Sequence, residues 1–152
     1  GMLHDCAKNL SEQEQLQFCR KHHIDVTEVE EENTALLHAK NGEWMSAHKY
    51  HIDDPEILGA IRWHTTGRPG MTLLEKIIYV ADFIEPNRKK LECLPAIRQE
   101  AYRDIDATVY HIAEAVTGFL STQGKATDDM SMKTLRYYQD ILEGRRKDGG
   151  TE

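Results

Sequence analysis

Five residues of this chain have the types and settings that metal-assisted chemistry needs: the adjacent pair His4 and Asp5, then His38, His64 and Asp82. Imidazole nitrogen and carboxylate oxygen without thiolate suit Fe, Mn, Co, Ni or Zn, and mixed N/O donors do not choose among them. His38 follows Ala35-Leu36-Leu37, His64 follows Ile61 and Trp63, and Asp82 sits in Tyr79-Val80-Ala81-Asp82-Phe83-Ile84, so each polar group lies inside or at the end of an apolar stretch. A carboxylate buried in that setting is costly unless a cation or strong donors compensate it. For Asp82 the compensating group is a metal ion or, on equal terms, an ion pair to Lys76, Arg62 or Arg88. Nearby in sequence stand groups that suit phosphate. Lys8 lies one helical turn past His4, Arg68 follows His64 in a turn, and Arg88 lies just beyond the Asp82 stretch. Thr65, Thr66 and Gly67 add hydroxyl and amide donors.

The elements that must position these groups read as helices. Ser11 precedes an acidic first turn and opens a helix over 12–22, and Leu37, Trp44, Met45 and Ala47 share roughly one face of a second over 34–50. Asp54-Pro55-Glu56 starts a third, which carries Ile57, Leu58 and Ile61 and stops near Thr65. The segment Thr65 to Gly70 is dense in turn residues. Residues 72–84 form a long apolar run, read as a buried central helix ended by Pro86. Further helices are expected over 95–103, over 105–120 with Val109, Ile112, Ala113, Val116 and Leu120 on one face, and over 129–142. Leu3-His4-Asp5 reads as the middle of a buried helix. With no alternating pattern of any length the chain is all-α. Its length suits one domain, placed at 1–142, with a charged, glycine-containing tail at 143–152 that frays.

The order His4-Asp5, His38, His64, Asp82 resembles the HD-domain metal-dependent phosphohydrolases, in which scattered ligands converge from several helices. The motifs Leu3-His4-Asp5-x-Ala7-Lys8, Leu36-Leu37-His38, Ala60-Ile61-Arg62-x-His64-Thr65-Thr66-Gly67-Arg68-Pro69-Gly70-Met71 and Leu74-Glu75-Lys76-Ile77-Ile78-Tyr79-Val80-Ala81-Asp82-x-Ile84-Glu85-Pro86-x-Arg88 are similar to those of the YqeK family, over residues 3–88. The resemblance implies an HD-domain helical bundle and a bacterial, iron-dependent hydrolase that cuts diadenosine tetraphosphate at its centre to give two ADP. It further implies two metal ions, with Asp5 bridging them, His4 and Asp82 on one, and His38 and His64 on the other. A bridging water would attack a central phosphate, while Lys8, Thr65, Thr66, Gly67, Arg68 and Arg88 hold the phosphates. The departing ADP phosphate has a second ionisation near about 6, so it needs no strong general acid. That family carries a further histidine ligand on a helix upstream of the His-Asp pair, and only Gly1, Met2 and Leu3 precede His4 here, so this chain is expected to lack that helix. An HD nucleotidase acting on mononucleotides, or a nucleotide-binding module without turnover, would share the same residues.

Composition narrows the classes. The 19 basic and 26 acidic residues leave a formal charge of −7, which repels nucleic acid polymers and acidic membranes while permitting a local basic pocket for phosphate. Cys6, Cys19 and Cys93 form no CxxC pair, which argues against a disulfide framework or a thiolate zinc site and for a reducing, cytoplasmic setting. No apolar run approaches the roughly 20 residues needed to span a bilayer. The expected partner is a dinucleoside polyphosphate or nucleotide, and a homodimer is allowed. His22, His23, His48, His51 and His111 read as surface or helix-end residues, and Trp44 and Trp63 as core. Tyr79 or Tyr110 are candidates to stack on adenine.

Overall fold

The structure, a computed structural model, describes residues 2–88 and 91–148. Among them are eight α-helices, one 3₁₀ turn and no strand, as the all-α reading expects. They gather into two compact units, residues 1–65 and 66–152. No helix among the described residues is long and apolar enough to cross a membrane.

The first unit contains α1 (Glu12–Lys21), α2 (Glu28–Glu32), a 3₁₀ turn (Thr34–Leu36), α3 (Leu37–His48) and α4 (Pro55–Arg62). Helix α1 begins where the sequence places it, because Ser11 and Glu14 form a reciprocal capping box, worth about 1 kcal/mol. The acidic stretch read only as a lead-in is itself a helix, α2, capped in the same way by Thr27 and Glu30. Both α1 and α4 pack on α3, whose Leu37 is wholly buried and whose Ala39 nearly so. At the centre lies a polar network rather than hydrocarbon alone. Asn41 of α3 donates to the Gln15 side-chain oxygen (2.6 Å), Gln15 donates to the Ala7 carbonyl (2.7 Å), and the Cys19 thiol donates to Asn41 Oδ1 (3.0 Å). Burial pushes that thiol's pKa up, so Cys19 is a structural group. The network ties residues 2–9 to α1 and α3 through side chains that each have a partner, which favours a single packing. Residues 2–9 are not the regular helix expected. They form consecutive turns closed by Cys6 N–H to Leu3 O (3.1 Å) and Lys8 N–H to Asp5 O (3.0 Å).

The second unit contains α5 (Leu73–Phe83), α6 (Leu94–Glu100), α7 (Ile105–Thr122) and α8 (Asp129–Asp148). Its hub is α7, against which α5, α6 and α8 all pack, with Val109, Ile112 and Ala113 almost fully buried. Helix α5, expected to be central, buries only the Glu75, Tyr79, Val80 and Phe83 side, while Leu73 and Ile77 are 62% and 45% exposed. Its continuous apolar run had masked an amphipathic face. Helix α8 continues past Leu142 to Asp148, beyond the boundary read from periodicity; residues 149–152 of the expected tail lie outside the described residues. Arg98 of α6 donates to the carbonyls of Ile84 and Glu85 (3.2 and 2.9 Å), satisfying backbone acceptors just past the end of α5.

Helix α8 also grips the turn at 66–71. Thr134 Oγ1 donates to the Thr66 carbonyl (3.0 Å), and the Met71 N–H donates to the hydroxyl of wholly buried Tyr138 (3.2 Å). Gly67, with φ of 65°, would place a Cβ 2.7 Å from Thr134 Cγ2. Gly67→Ala is therefore expected to destabilise the protein by about 2 kcal/mol, from left-handed backbone strain and the clash together. Gly118→Ala, in mid-α7 with nothing within 4 Å of the new Cβ, should instead stabilise by up to about 1 kcal/mol. Urea denaturation of both variants checks the pair.

Asp104 caps α7 by accepting from the Asp106 and Ala107 N–H groups (both 3.1 Å), and it pairs bidentately with Arg145 of α8 (3.1 and 2.9 Å). Partial burial alone would raise its pKa, but the Ala107 N–H and the Arg145 guanidinium outweigh that and hold it below the ordinary carboxylate range. A depressed folded-state pKa contributes stability above the unfolded value and loses it as pH falls through the folded one. The urea midpoint of the wild type should accordingly fall more steeply below about pH 4 than that of Asp104→Asn, which keeps the cap and lacks the titration.

Candidate metal centre

Three side chains of the first unit converge on one point. His38 sits in the first turn of α3, and His64 lies just past the end of α4; they are 9% and 2% exposed. Each imidazole is oriented by a carbonyl three residues earlier in the chain. His38 Nδ1 contacts the Ala35 carbonyl, and His64 Nδ1 lies 2.7 Å from the Ile61 carbonyl. A carbonyl oxygen only accepts, so both Nδ1 atoms carry the proton and both Nε2 atoms are turned inward. Those two Nε2 atoms are 2.9 Å apart, and Asp5 Oδ1 lies 3.3 Å from the first and 3.5 Å from the second.

Three electron-rich atoms at these separations repel one another unless something positive lies among them. A single shared proton links two of them and leaves the third. Asp5 Oδ1 is buried and no protein group donates a hydrogen bond to it, which leaves it available to a cation. Spacings of 2.9–3.5 Å are those of neighbouring donors around an ion with bonds of about 2.0–2.2 Å. The imidazoles' carbonyl partners are the outer-shell contacts that metal-ligating histidines habitually make. The donor set therefore fits a divalent metal.

The other carboxylate oxygen faces a different pair. Asp5 Oδ2 lies 3.5 Å from His4 Nε2 and accepts from Lys8 Nζ at 2.6 Å. On a regular helix adjacent residues project about 100° apart, and the tight turns of 2–9 instead bring His4 and Asp5 into one cluster with His64. Burial pushes the Asp5 carboxyl up, but the Lys8 hydrogen bond and the His4, Lys8 and His38 side chains more than offset this, leaving it below the ordinary range. It is ionised and ready to ligate at neutral pH.

The remaining sequence candidates have the following surroundings. Thr66 donates its hydroxyl to the Gly67 carbonyl (2.9 Å), and Thr65 is half-buried at the end of the first unit. Arg68 is clamped by Glu75 through Nε (3.1 Å) and Nη2 (2.9 Å). Arg88 donates to the Asp82 carbonyl (3.0 Å) and reaches the Asp82 carboxylate (3.4 Å), while its Nε is buried without a hydrogen-bond partner. Of the three cations weighed as ion-pair partners for Asp82, Arg88 makes the contact; Lys76 pairs with Asp106 (2.6 Å) and Arg62 with Glu43 (3.7 Å). Sequence reasoning missed Glu75, a carboxylate only 2% exposed that both caps α5 through the Thr72 N–H and holds Arg68. The Thr-x-x-Glu capping signature was legible, the second role was not. Trp44 is no core residue but a partly buried ring flanked by His22 (3.7 Å between centroids) and His48 (4.1 Å).

Asp5→Asn keeps the side-chain shape and removes the charge, and it should weaken divalent-metal binding by ~100-fold or more, beyond what loss of an outer-shell partner does. Elemental analysis of desalted protein reads the outcome; unchanged stoichiometry would mean that imidazoles alone hold the ion.

No protein-family model matches the chain. It is 45% identical over 88 residues to the symmetrical bis(5'-nucleosyl)-tetraphosphatase of Bacillus subtilis, a match covering 58% of this chain and 47% of the relative, so the chain spans about half the length of that protein. To the protein of the same name from Staphylococcus aureus it is 33% identical over 140 residues, 91% of this chain and 71% of the relative. Among solved structures it is similar to an HD superfamily hydrolase from Clostridium acetobutylicum, described as involved in NAD metabolism. That likeness has a TM-score of 0.86 at 31% identity, over 92% of this chain and 74% of that one.

Proposed function

Since the chain belongs to the family of symmetrical bis(5'-nucleosyl)-tetraphosphatases, we propose that it hydrolyses a dinucleoside tetraphosphate at its centre, diadenosine tetraphosphate giving two ADP. The observation that carries the reading is the convergence of His38 Nε2, His64 Nε2 and Asp5 Oδ1, with that buried oxygen lacking any donor. In this reading Asp5, His38 and His64 hold one divalent ion and His4 stands on the Asp5 Oδ2 side for a second, with iron as the resident metal and Mn, Co, Ni or Zn compatible with the same donors. A bound divalent ion supplies Lewis-acid charge that offsets phosphoryl oxygens and lowers the pKa of water.

The chain's own groups do the rest. The protons held on Nδ1 of His38 and His64 by the Ala35 and Ile61 carbonyls keep both Nε2 lone pairs directed inward. Lys8 holds Asp5 Oδ2 ionised and keeps its half-exposed ammonium beside the cluster, where it attracts a phosphate that this acidic chain otherwise repels. Arg68 and Arg88 keep their expected part as phosphate contacts, with Thr65, Thr66 and Gly67 as neutral donors, and Asp82 its expected part as a ligand. ADP departs as a phosphate whose second ionisation is near about 6, so no dedicated proton donor is required.

The test is incubation of anaerobically Fe(II)-loaded protein with diadenosine tetraphosphate, with products resolved by anion exchange. ADP as sole product is expected. AMP plus ATP would overturn symmetrical cleavage, and absence of turnover with metal bound would make the protein a binding module.

A further inference from the structure

Asp5 and His38 meet in one cluster but reach it from different parts of the chain, Asp5 from the turns of residues 2–9 and His38 from the first turn of α3. A run of turns has no helical ladder of its own to hold its position. A chain of buried hydrogen bonds crosses between the two parts. Gln15 of α1 donates to the carbonyl of Ala7, two residues past Asp5 (2.7 Å). Asn41 of α3 donates to Gln15 Oε1 (2.6 Å) and to the Gln15 carbonyl (3.2 Å), and the Cys19 thiol donates to Asn41 Oδ1 (3.0 Å). Asn41 lies three residues past His38 on the same helix. We propose that Gln15 and Asn41 are positioning residues of the metal centre. Through the Ala7 carbonyl they set how far the Asp5 carboxylate stands from the His38 and His64 imidazoles, and so the affinity and coordination geometry of the bound ion. The proposal rests on the reading of that cluster as a divalent-metal site.

The bonds of this chain run in one direction only. A backbone carbonyl accepts and never donates, so Gln15 turns its NH₂ to Ala7 and its oxygen to Asn41. Asn41 then presents its NH₂ to Gln15 and its oxygen to the Cys19 thiol. A flipped amide at either position would set like groups face to face. Ala7, Gln15 and Asn41 are all buried, so a broken bond leaves an unpaired polar group. Packing acts between the same elements. A Cβ on Gly42, one turn past His38, would lie 3.5 Å from the His4 carbonyl and 3.6 Å from Cys6 Sγ, so α3 lies against the turns that carry His4 and Asp5. One helix thus presents His38, supports the turns at Gly42 and holds them through Asn41. Functional groups need to be placed to within about 0.5 Å of the productive geometry. Asp5 Oδ1 stands 3.3 and 3.5 Å from the two Nε2 atoms, so a small retreat of the turns takes it out of an ion's reach.

The experiment titrates Co(II) into the metal-free full chain, followed by calorimetry and by the visible absorption of the bound ion, which reports the number and geometry of its ligands. Gln15→Met keeps the length and helix propensity of the side chain and removes its amide, and Asn41→Leu removes the tether from the α3 side at similar volume. Ser11→Ala removes the cap of α1 and leaves the tether intact, so it measures what lost helix stability does by itself. Circular dichroism and the metal-free thermal midpoint verify that each variant folds. Gln15→Met and Asn41→Leu should each weaken Co(II) by about tenfold or more and alter its visible spectrum, as loss of a group that orients a ligand does. Ser11→Ala should lower the thermal midpoint and change the affinity by less than about twofold. In an Asp5→Asn background Gln15→Met should cost less than about twofold, since the tether acts through that carboxylate. The proposal is overturned by wild-type affinity and spectrum in whichever tether variant folds, by an equal loss in Ser11→Ala, or by an undiminished loss in the Asp5→Asn background. Wild-type protein that takes up no Co(II) overturns the metal reading itself. Protein that binds Co(II) equally well in wild type and both tether variants keeps its metal site and loses only this role for Gln15 and Asn41.

Discussion

Two imidazole nitrogens and one carboxylate oxygen of the first unit are held within 3.5 Å of each other, with the Nδ1 protons of both imidazoles directed to backbone carbonyls. Such an arrangement is electrostatically unfavourable by itself, and it persists because the surrounding structure allows no alternative. His38 and His64 arrive from α3 and from the end of α4, each locked by a carbonyl of its own chain three residues back. Asp5 arrives on a run of turns that Gln15 fastens to α1 by donating to the Ala7 carbonyl, and Asn41 of α3 in turn donates to Gln15. A buried polar network beside them thus holds the run of turns in place, and in the proposed reading a divalent cation would offset the apposed lone pairs.

A second regularity concerns the positive charges. Lys8 pairs with Asp5, Arg68 with buried Glu75, and Arg88 with Asp82. In a chain with an excess of seven acidic groups, each cation with a chemical reason to meet phosphate is already oriented by a carboxylate. Such pairing lowers the local positive potential, and it also removes the rotamer entropy that a long side chain would otherwise surrender on binding. For Arg68 the guanidinium is held through two nitrogens by a carboxylate that is itself fixed by a helix cap.

The helical class and most helix starts were legible because they depend on local signals: Ser11 with Glu14, Asp54 before Pro55, and Thr72 with Glu75. What could not be read was whatever depends on partners distant in sequence. The apolar run of α5 looked buried on all sides, yet Leu73 and Ile77 face outward because α7, not α5, is the hub of its unit. Leu3-His4-Asp5 reads as the middle of a helix, and the segment is instead a series of tight turns that groups His4 and Asp5 with His64. The histidines of the cluster stood out by their apolar neighbours, but their carbonyl partners and the Gln15–Asn41 bridge are written in no motif. Trp44 was misjudged because one of its companions, His22, comes from the end of α1, while the other, His48, lies one turn along its own helix.

The division into two units has an optical side. Both tryptophans, Trp44 and Trp63, lie in residues 1–65, whereas five of the six tyrosines, Tyr79, Tyr102, Tyr110, Tyr137 and Tyr138, lie in residues 66–152. Indole emission therefore follows the half that contains the histidine cluster, and tyrosine absorbance follows mainly the other half. A chain built this way reports its own cooperativity without labels: superimposable transitions by the two chromophores mean that both halves melt as one body, and separated transitions mean that each has a stability of its own.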